Sequence, residues 1–155
     1  MLQLVLTKAN IYDCARIHKL QIQSFEELFQ KYKDFKTSPA CESLEMIQQR
    51  MSQDYTDYYL IKLDKEDIGA IRVVRMDDDI CRISPMFILP KYQGCGYGQK
   101  VISLTEALYS KAQSWQLDTI KQESKLCYFY EKMGYRPTGK EVTIKDGMTI
   151  KYYSK

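Results

Sequence analysis

The sequence predicts an α/β protein: a mixed sheet with helices on both faces, in one domain over residues 1–155. Three observations carry this. The hydrophobic period switches between helical and strand spacing to give the order β-α-α-β-β-β-α-β-α-β-β, and a run of strands framed by helices suggests that layering. No repeat or linker interrupts the order. The length of 155 residues suits one domain, and such a chain buries roughly 70% of its unfolded surface without staples.

Leu2 to Leu6 reads as a short apolar strand. Asn10 then offers an N-cap with Asp13 three positions on. Ile11, Ala15, His18, Ile22, Phe25 and Phe29 recur at helical spacing, which predicts an amphipathic helix to about Tyr32. Ser38-Pro39 is a second start signal, and Leu44, Ile47 and Met51 form the inner face of the helix behind it.

Tyr58 to Leu63 and Ile68 to Met76 read as strands joined by the polar turn Asp64 to Asp67. The acidic triplet Asp77 to Asp79 makes the next turn, a solvated one. Ile80 to Leu89 is a third strand, stopped by Pro90. A glycine-rich loop leads into a helix from about Gly98 to Trp115, then a short strand spans Thr119 to Gln122. Leu126 to Met133 is a short helix ended by Gly134. The tail is a hairpin, Glu141 to Ile144 and Met148 to Tyr153, turned by Lys145-Asp146-Gly147.

Composition excludes several classes. The chain is 45% apolar and 28% charged, which rules out disorder and low complexity. The longest apolar runs fall far short of the roughly 20 residues of a membrane span. The first residues lack the basic segment of a signal peptide. A net charge of +3 with no basic stripe gives no argument for nucleic acid. Five scattered cysteines without a CxxC pair, and one histidine, leave little for a metal site and suit reduced thiols in a cytoplasmic protein. His18, on an apolar helix face, reads as a satisfied core residue rather than a catalyst.

The informative stretch runs from Phe87 to Lys100: a buried strand ends, three alternate glycines follow, and a helix begins. Unpaired N–H groups at a helix start, the helix dipole and side-chain-free glycines together make a cradle for a pyrophosphate. A P-loop needs GxxxxGK[ST]; here Gly94 and Gly98 stand only four apart and Val101 replaces the hydroxyl residue. A dinucleotide fold needs GxGxxG after its first strand; here GxGxG comes after the strand run.

Ile88, Pro90, Tyr92, Gln93, Gly96 and Gly98 instead resemble the acetyl-CoA-binding motif of the GNAT superfamily of N-acetyltransferases. Leu126 to Tyr135 is similar to that family's FYEKxGF signature, and the element order resembles the family's over essentially the whole chain. The resemblance implies a mostly antiparallel mixed sheet of six or seven strands flanked by about four helices. It implies transfer of an acetyl group from acetyl-CoA to a primary amine by direct attack, without a metal.

The family's diphosphate site maps onto the amides of Gly94, Cys95, Gly96, Tyr97, Gly98 and Gln99, with Gln93 opening the loop. The pantetheine arm would pair with the strand edge at Met86, Phe87 and Ile88, where the Ile88 amide would donate to the thioester oxygen. Tyr130 occupies the place of the tyrosine that protonates the leaving thiolate; a phenol near pKa 10 can donate to a thiolate whose acid lies at about 8.5–10. Glu123 stands where many members carry an Asn that touches the CoA arm, and it suits a pantetheine contact, a base or a cation site alike. Some members carry a Glu base on the fourth strand; here Arg82 is near that position.

Phe25, Glu26, Phe29, Tyr32, Tyr152 and Tyr153 are candidates to line the acceptor site, with acidic and aromatic groups suited to a cationic amine. Many members of the family are dimers, so a homodimer is an open expectation, with no nucleic-acid or membrane partner. A non-catalytic acyl-CoA sensor on the same fold is the alternative, and indifference to Tyr130→Phe would mark it.

Overall fold

The computed structural model describes residues 2–77 and 79–155. In chain order its elements are β1 (Leu4–Lys8), α1 (Cys14–Tyr32), α2 (Leu44–Met51), β2 (Thr56–Leu63), β3 (Glu66–Met76) and β4 (Ile80–Ile88). There follow α3 (Tyr97–Leu108), β5 (Ser114–Ile120), α4 (Ser124–Lys132), β6 (Arg136–Lys145) and β7 (Met148–Ser154). The seven strands form one sheet in the order β1-β2-β3-β4-β5-β7-β6. Every pairing is antiparallel except β4 with β5. No helix among the described residues is long and apolar enough to cross a membrane.

The expected order of elements is observed, with informative shifts at the boundaries. Asn10 does cap the first helical segment: its side chain accepts from the Tyr12 N–H, and Asp13 accepts from the Asn10 N–H at 2.8 Å. The buried stripe of α1, however, is Cys14, Ile17, Leu20, Gln21 and Ser24, whereas Ala15 is exposed and Ile11 is 49% exposed. Two polar residues hide that stripe in the sequence. Gln21 is accommodated because its amide donates to the Pro39 carbonyl at 2.8 Å and to Glu42 at 2.7 Å. His18 is a packing residue, its Nε2 2.9 Å from the Glu42 carbonyl oxygen. Ser38-Pro39 opens only a single tight turn, and Ser43 is the cap of α2, accepting from the Met46 N–H at 3.1 Å.

The largest correction concerns residues 109–120. The expected helix to Trp115 ends at Leu108, and Trp115 lies in a strand. Trp115, Leu117 and Thr119 are buried while Ser114, Gln116, Asp118 and Ile120 are not, so the period there is two. Of the acidic triplet, Asp77 and Asp79 lie in a turn and Asp78 lies outside the described residues.

Two cores sandwich the sheet. On one face Cys14, Ile17 and Leu20 of α1 and Ile47 of α2 pack on Tyr58, Leu60, Ala70 and Phe87. On the other, Val101 and Ile102 of α3 and Cys127 of α4 pack on Ile61, Ile71, Val73, Ile83, Trp115, Leu117 and Tyr153. Each Val, Leu, Ile or Phe among them contributes about 1.5–3 kcal/mol when removed from water. Strands covered on both faces need continuous apolar runs, which is why β2 and β3 read so plainly in the sequence.

A bulge interrupts the β3–β4 ladder between Ile71 and Val73. Across it Arg72, itself buried, donates to the Ser84 carbonyl at 2.9 Å and to Thr56 at 2.9 Å. The extra residue on β4 reverses which face each side chain takes. Cys81 and Ile83 face α3 and α4 before it; beyond it Ile88 does, and Phe87 turns to α1.

Candidate active site

The site begins where two parallel strands part. β4 and β5 pair only through Ile80, Cys81 and Arg82 with Ser114, Trp115 and Gln116. Beyond Arg82, β4 keeps only β3 as partner, while β5 goes on with β7. The Leu89 N–H bonds the Ile68 carbonyl at 2.7 Å, and Gly69, Ala70 and Ile71 lie opposite Ile88, Phe87 and Met86. Antiparallel pairs alternate between bonded and non-bonded. Phe87 therefore directs its N–H and C=O at β3, whereas Met86 and Ile88 direct theirs into the opening. The Phe87 ring sits on Phe25, centroids 5.6 Å apart.

Gly69 allows β3 to lie this close: a Cβ there would fall 2.0 Å from the Phe87 carbonyl oxygen. Nothing in the sequence alone singled it out.

After Ile88 the chain makes one tight turn, Pro90–Tyr92. Gln93 closes it, its side-chain amide donating to the Ile88 carbonyl at 2.8 Å. The loop glycines divide their work. Gly94 and Gly96 take φ of +74° and +84°, and a Cβ on either would meet nothing within 4 Å. Both face open space in a conformation that side chains resist. Gly98 is different, since a Cβ there would come within 3.1 Å of the Phe129 ring. It lets the first turn of α3 lie against α4, beside Tyr130. The ladder of α3 starts with the Lys100 N–H on the Gly96 carbonyl, 3.4 Å apart. The N–H groups of Tyr97, Gly98 and Gln99 thus have no partner within the helix. Cys95 is exposed, and Tyr97 packs partly against the core.

Tyr130 lies on α4, half-buried, with Phe129 and Tyr135 edge-on to its ring at 5.0 and 6.2 Å. Burial, and then the Asp118 carboxylate, push its phenol up to about 12. It is therefore a proton donor throughout the neutral range. Asp118 belongs to the strand that the sequence reading misplaced, and was missed with it; the alternation Trp115, Leu117, Thr119 is the signal that would have found it. It is ion-paired with Arg82 of β4. Burial raises its carboxyl above the usual range against the pull of Arg82 and Lys140.

Glu123 precedes α4 and is engaged within the protein. Lys31 donates to it at 2.6 Å and the Tyr32 hydroxyl donates to the same oxygen. Burial raises its carboxyl, but these two donors and the Lys31 charge hold it below the ordinary value. Lys145, at the tip of the β6–β7 hairpin, donates to the Tyr32 carbonyl at 2.8 Å. The end of α1, the start of α4 and the hairpin thus meet around Tyr32.

The other acceptor candidates separate. Phe29 stacks edge-on with Phe35 at 5.1 Å, and Glu26 is exposed, accepting from Gln30. Tyr152 carries Lys140 and Arg82 over its ring at 4.4 and 5.7 Å, in a groove of about 440 Å³ that Gln116 also lines. Tyr153 is a core residue of the opposite face, its hydroxyl donating to Glu131 at 2.7 Å.

Comparison with known proteins follows the same lines. The family model described as an acetyltransferase (GNAT) domain matches residues 23–155. No curated protein matches the chain. Among solved structures, spermidine N-acetyltransferase from Vibrio cholerae, in complex with CoA and spermine, is 17% identical, with a TM-score of 0.77 over 99% of this chain and 95% of that one. PaiA N-acetyltransferase from Thermoplasma acidophilum, in complex with coenzyme A, is 15% identical, with a TM-score of 0.77 over 97% and 98%. An acetyltransferase from Thermus thermophilus is 16% identical, with a TM-score of 0.74 over 99% and 96%. At such identities the likeness is one of fold.

Proposed function

The chain belongs to the GNAT acetyltransferase family, and from that premise we propose that it transfers an acetyl group from acetyl-CoA to a primary amine by direct attack. The observation that carries the reading is the parted edge of β4. Its outward N–H groups at Met86 and Ile88 run straight into a loop of open glycines and an unpaired helix start.

The residues fit the co-substrate in three places. An extended, amide-rich arm pairs with a free strand edge as an added strand would, using Met86 and Ile88. A diphosphate suits the amides from Gly94 to Gln99, where the α3 dipole adds roughly half a positive charge. Cys95, Tyr97 and Gln99 take part there through their backbone. An outward N–H of the same edge, Ile88 in our reading, stabilises the oxyanion as the amine adds to the carbonyl. Tyr130 gives its proton to sulfur as the C–S bond breaks. Phe87 and Gln93 hold the edge and the loop in place. Glu123 bounds the end where the acceptor enters rather than the diphosphate end, because its partners are on α1.

The acceptor is an amine, as in the spermidine N-acetyltransferases of the same fold. The carboxylates of this face that bear on the site, Asp118 and Glu123, are each already matched by a cation. That balance suits an acceptor with one amine better than a polycation.

Thermal unfolding with acetyl-CoA, against ATP and NAD, tests the co-substrate. At 100 times the dissociation constant a ligand adds about 2.7 kcal/mol, a rise of roughly 5–10 °C at this size. A rise with acetyl-CoA alone supports the reading, and a rise with ATP or NAD instead overturns it. Binding of acetyl-CoA with turnover indifferent to Tyr130→Phe would leave a sensor in place of an enzyme.

A further inference from the structure

Acetyl transfer to an amine requires that the nitrogen lose a proton, and at the start of the opening β4 offers a cation, Arg82, rather than a carboxylate. The neighbouring strand supplies one. Asp118 lies two residues beyond Gln116, the last residue of β5 that pairs with β4, so it is the first side chain on its face inside the opening. It is ion-paired with Arg82 across the gap and stands directly opposite Tyr152 in the β5–β7 register. Its side chain is 31% exposed, enough for a small substrate to reach. Arg82 and Tyr152, its ion-pair and register partners, line the groove beside it.

Tyr130 approaches the same opening from α4, where the Asp118 carboxylate adds to burial in raising its phenol above the ordinary value.

We infer that Asp118 is the base of the reaction, taking the proton from the attacking nitrogen and returning it to Tyr130. This rests on the acetyl-transfer reading above. The nitrogen lone pair forms the C–N bond while the carbonyl π pair moves to oxygen. That pair then reforms the carbonyl, the C–S bond breaks, and its electrons go to sulfur. The nitrogen's proton passes to a carboxylate oxygen of Asp118. The Tyr130 hydroxyl proton passes to sulfur. The Asp118 proton then moves to the Tyr130 phenolate, so both groups end as they began and one proton has travelled from nitrogen to sulfur.

An ordinary surface carboxylate is too weak a base for this step. Partial burial of Asp118 raises its proton affinity above that of such a group, against the pull of the two cations facing it, Arg82 and Lys140. The uncharged groups near it are Tyr152, opposite it in the sheet, and Tyr130, whose phenol its charge raises.

Two measurements on the full chain decide the matter. CoA release is followed with spermine, L-lysine and a tripeptide with a free N-terminus as probe amines. Asp118→Asn should lower kcat/KM about 100-fold or more. It should leave acetyl-CoA affinity within about twofold and remove the acid limb of the pH profile. Asp118→Glu should recover part of the loss, and Arg82→Met should move the acid limb to higher pH, since a cation is removed. The second measurement needs no acceptor: ring-labelled tyrosine NMR should show Tyr130 titrating at lower pH in Asp118→Asn, because a negative neighbour is gone. An unchanged rate and acid limb, or an unmoved Tyr130 titration, overturns the inference. Failure of the wild-type chain to bind acetyl-CoA would instead remove the proposed function, and the NMR titration would still decide the coupling of Asp118 to Tyr130.

Discussion

The two ends of the candidate site are made of different material. The end proposed for the co-substrate, residues 86–99, is built from backbone: free N–H groups, two glycines at positive φ and one helix start. The end proposed for the acceptor is built from side chains brought together over long sequence distances, with Lys31 and Tyr32 on Glu123, Lys145 on Tyr32 and Arg82 on Asp118. A backbone site is written locally as glycines, a proline and a strand ending. A side-chain site is assembled by the sheet order and has no local signature.

Tyr130 stands where the two ends meet, and its loss should have the largest effect. Tyr130→Phe should lower kcat by about 100-fold or more, the usual worth of a positioned acid. Acetyl-CoA affinity should stay within about twofold, because the hydroxyl takes no part in the backbone cradle. Steady-state kinetics beside calorimetric binding separate the two. An equal loss in both would mean that Tyr130 belongs to the cradle.

Next in size is the cradle itself. Gly96→Val puts a branched side chain at φ +84°, into the space the diphosphate would take. Strain of about 1–3 kcal/mol and the lost approach should weaken acetyl-CoA binding by roughly 30-fold or more. Cys95→Ser and Gln99→Ala, which change only side chains, should leave it within about twofold. A large loss from either side-chain variant would break the contrast between the two ends.

The same contrast explains what could be read from the sequence. The element order was legible because β2, β3 and β4 are covered on both faces and read as continuous apolar runs. The α1 face was displaced by one position because Gln21 and Ser24 are buried polar residues. β5 was overrun by the preceding helix because Tyr109 to Gln113 carries neither Gly nor Pro to mark the stop. Asp118 was lost with that boundary. Gly69 gave no sign, since its requirement is the carbonyl of Phe87 eighteen residues later. Glu123 was located by its distance from Tyr130, but its partners on α1, more than ninety residues away, come only from the fold.

Packing between strands gives a third test, smaller in its effect on function. Gly69→Ala places a Cβ 2.0 Å from the Phe87 carbonyl and forces β3 from β4. It should cost about 2–3 kcal/mol of stability, as overpacking does. It should also disturb the parted edge, so acetyl-CoA binding measured well below the melting point should weaken several-fold. Gly139→Ala, at a positive φ with open space around it, should cost only about 1 kcal/mol and leave binding alone.

The smallest effect separates the two ends by acid. The wall at residues 31–37 rests on two carboxylates. Asp34 is buried and accepts from the N–H groups of Lys36 and Thr37 at 3.1 Å each, and from the Thr37 hydroxyl. Burial raises its carboxyl, but those hydrogen bonds and the Lys145 charge hold it below the ordinary value, as Lys31 and Tyr32 do for Glu123. A carboxyl whose folded value is depressed stabilises fully above its unfolded value, about 4, and loses that contribution as pH falls through the folded value. The wall should therefore open as the solution is acidified from pH 5 towards 3, where the cradle, held by backbone bonds, has no such dependence. Native-state hydrogen exchange, corrected for the intrinsic rate at each pH, should show protection falling at Lys36 and Thr37 and unchanged at Leu89 and Gln93. Asp34→Asn should flatten that loss while lowering protection at neutral pH. Equal loosening of both segments in acid would show that the wall and the cradle open as one unit, and the distinction between a backbone-built and a side-chain-built end would fail at the level of dynamics.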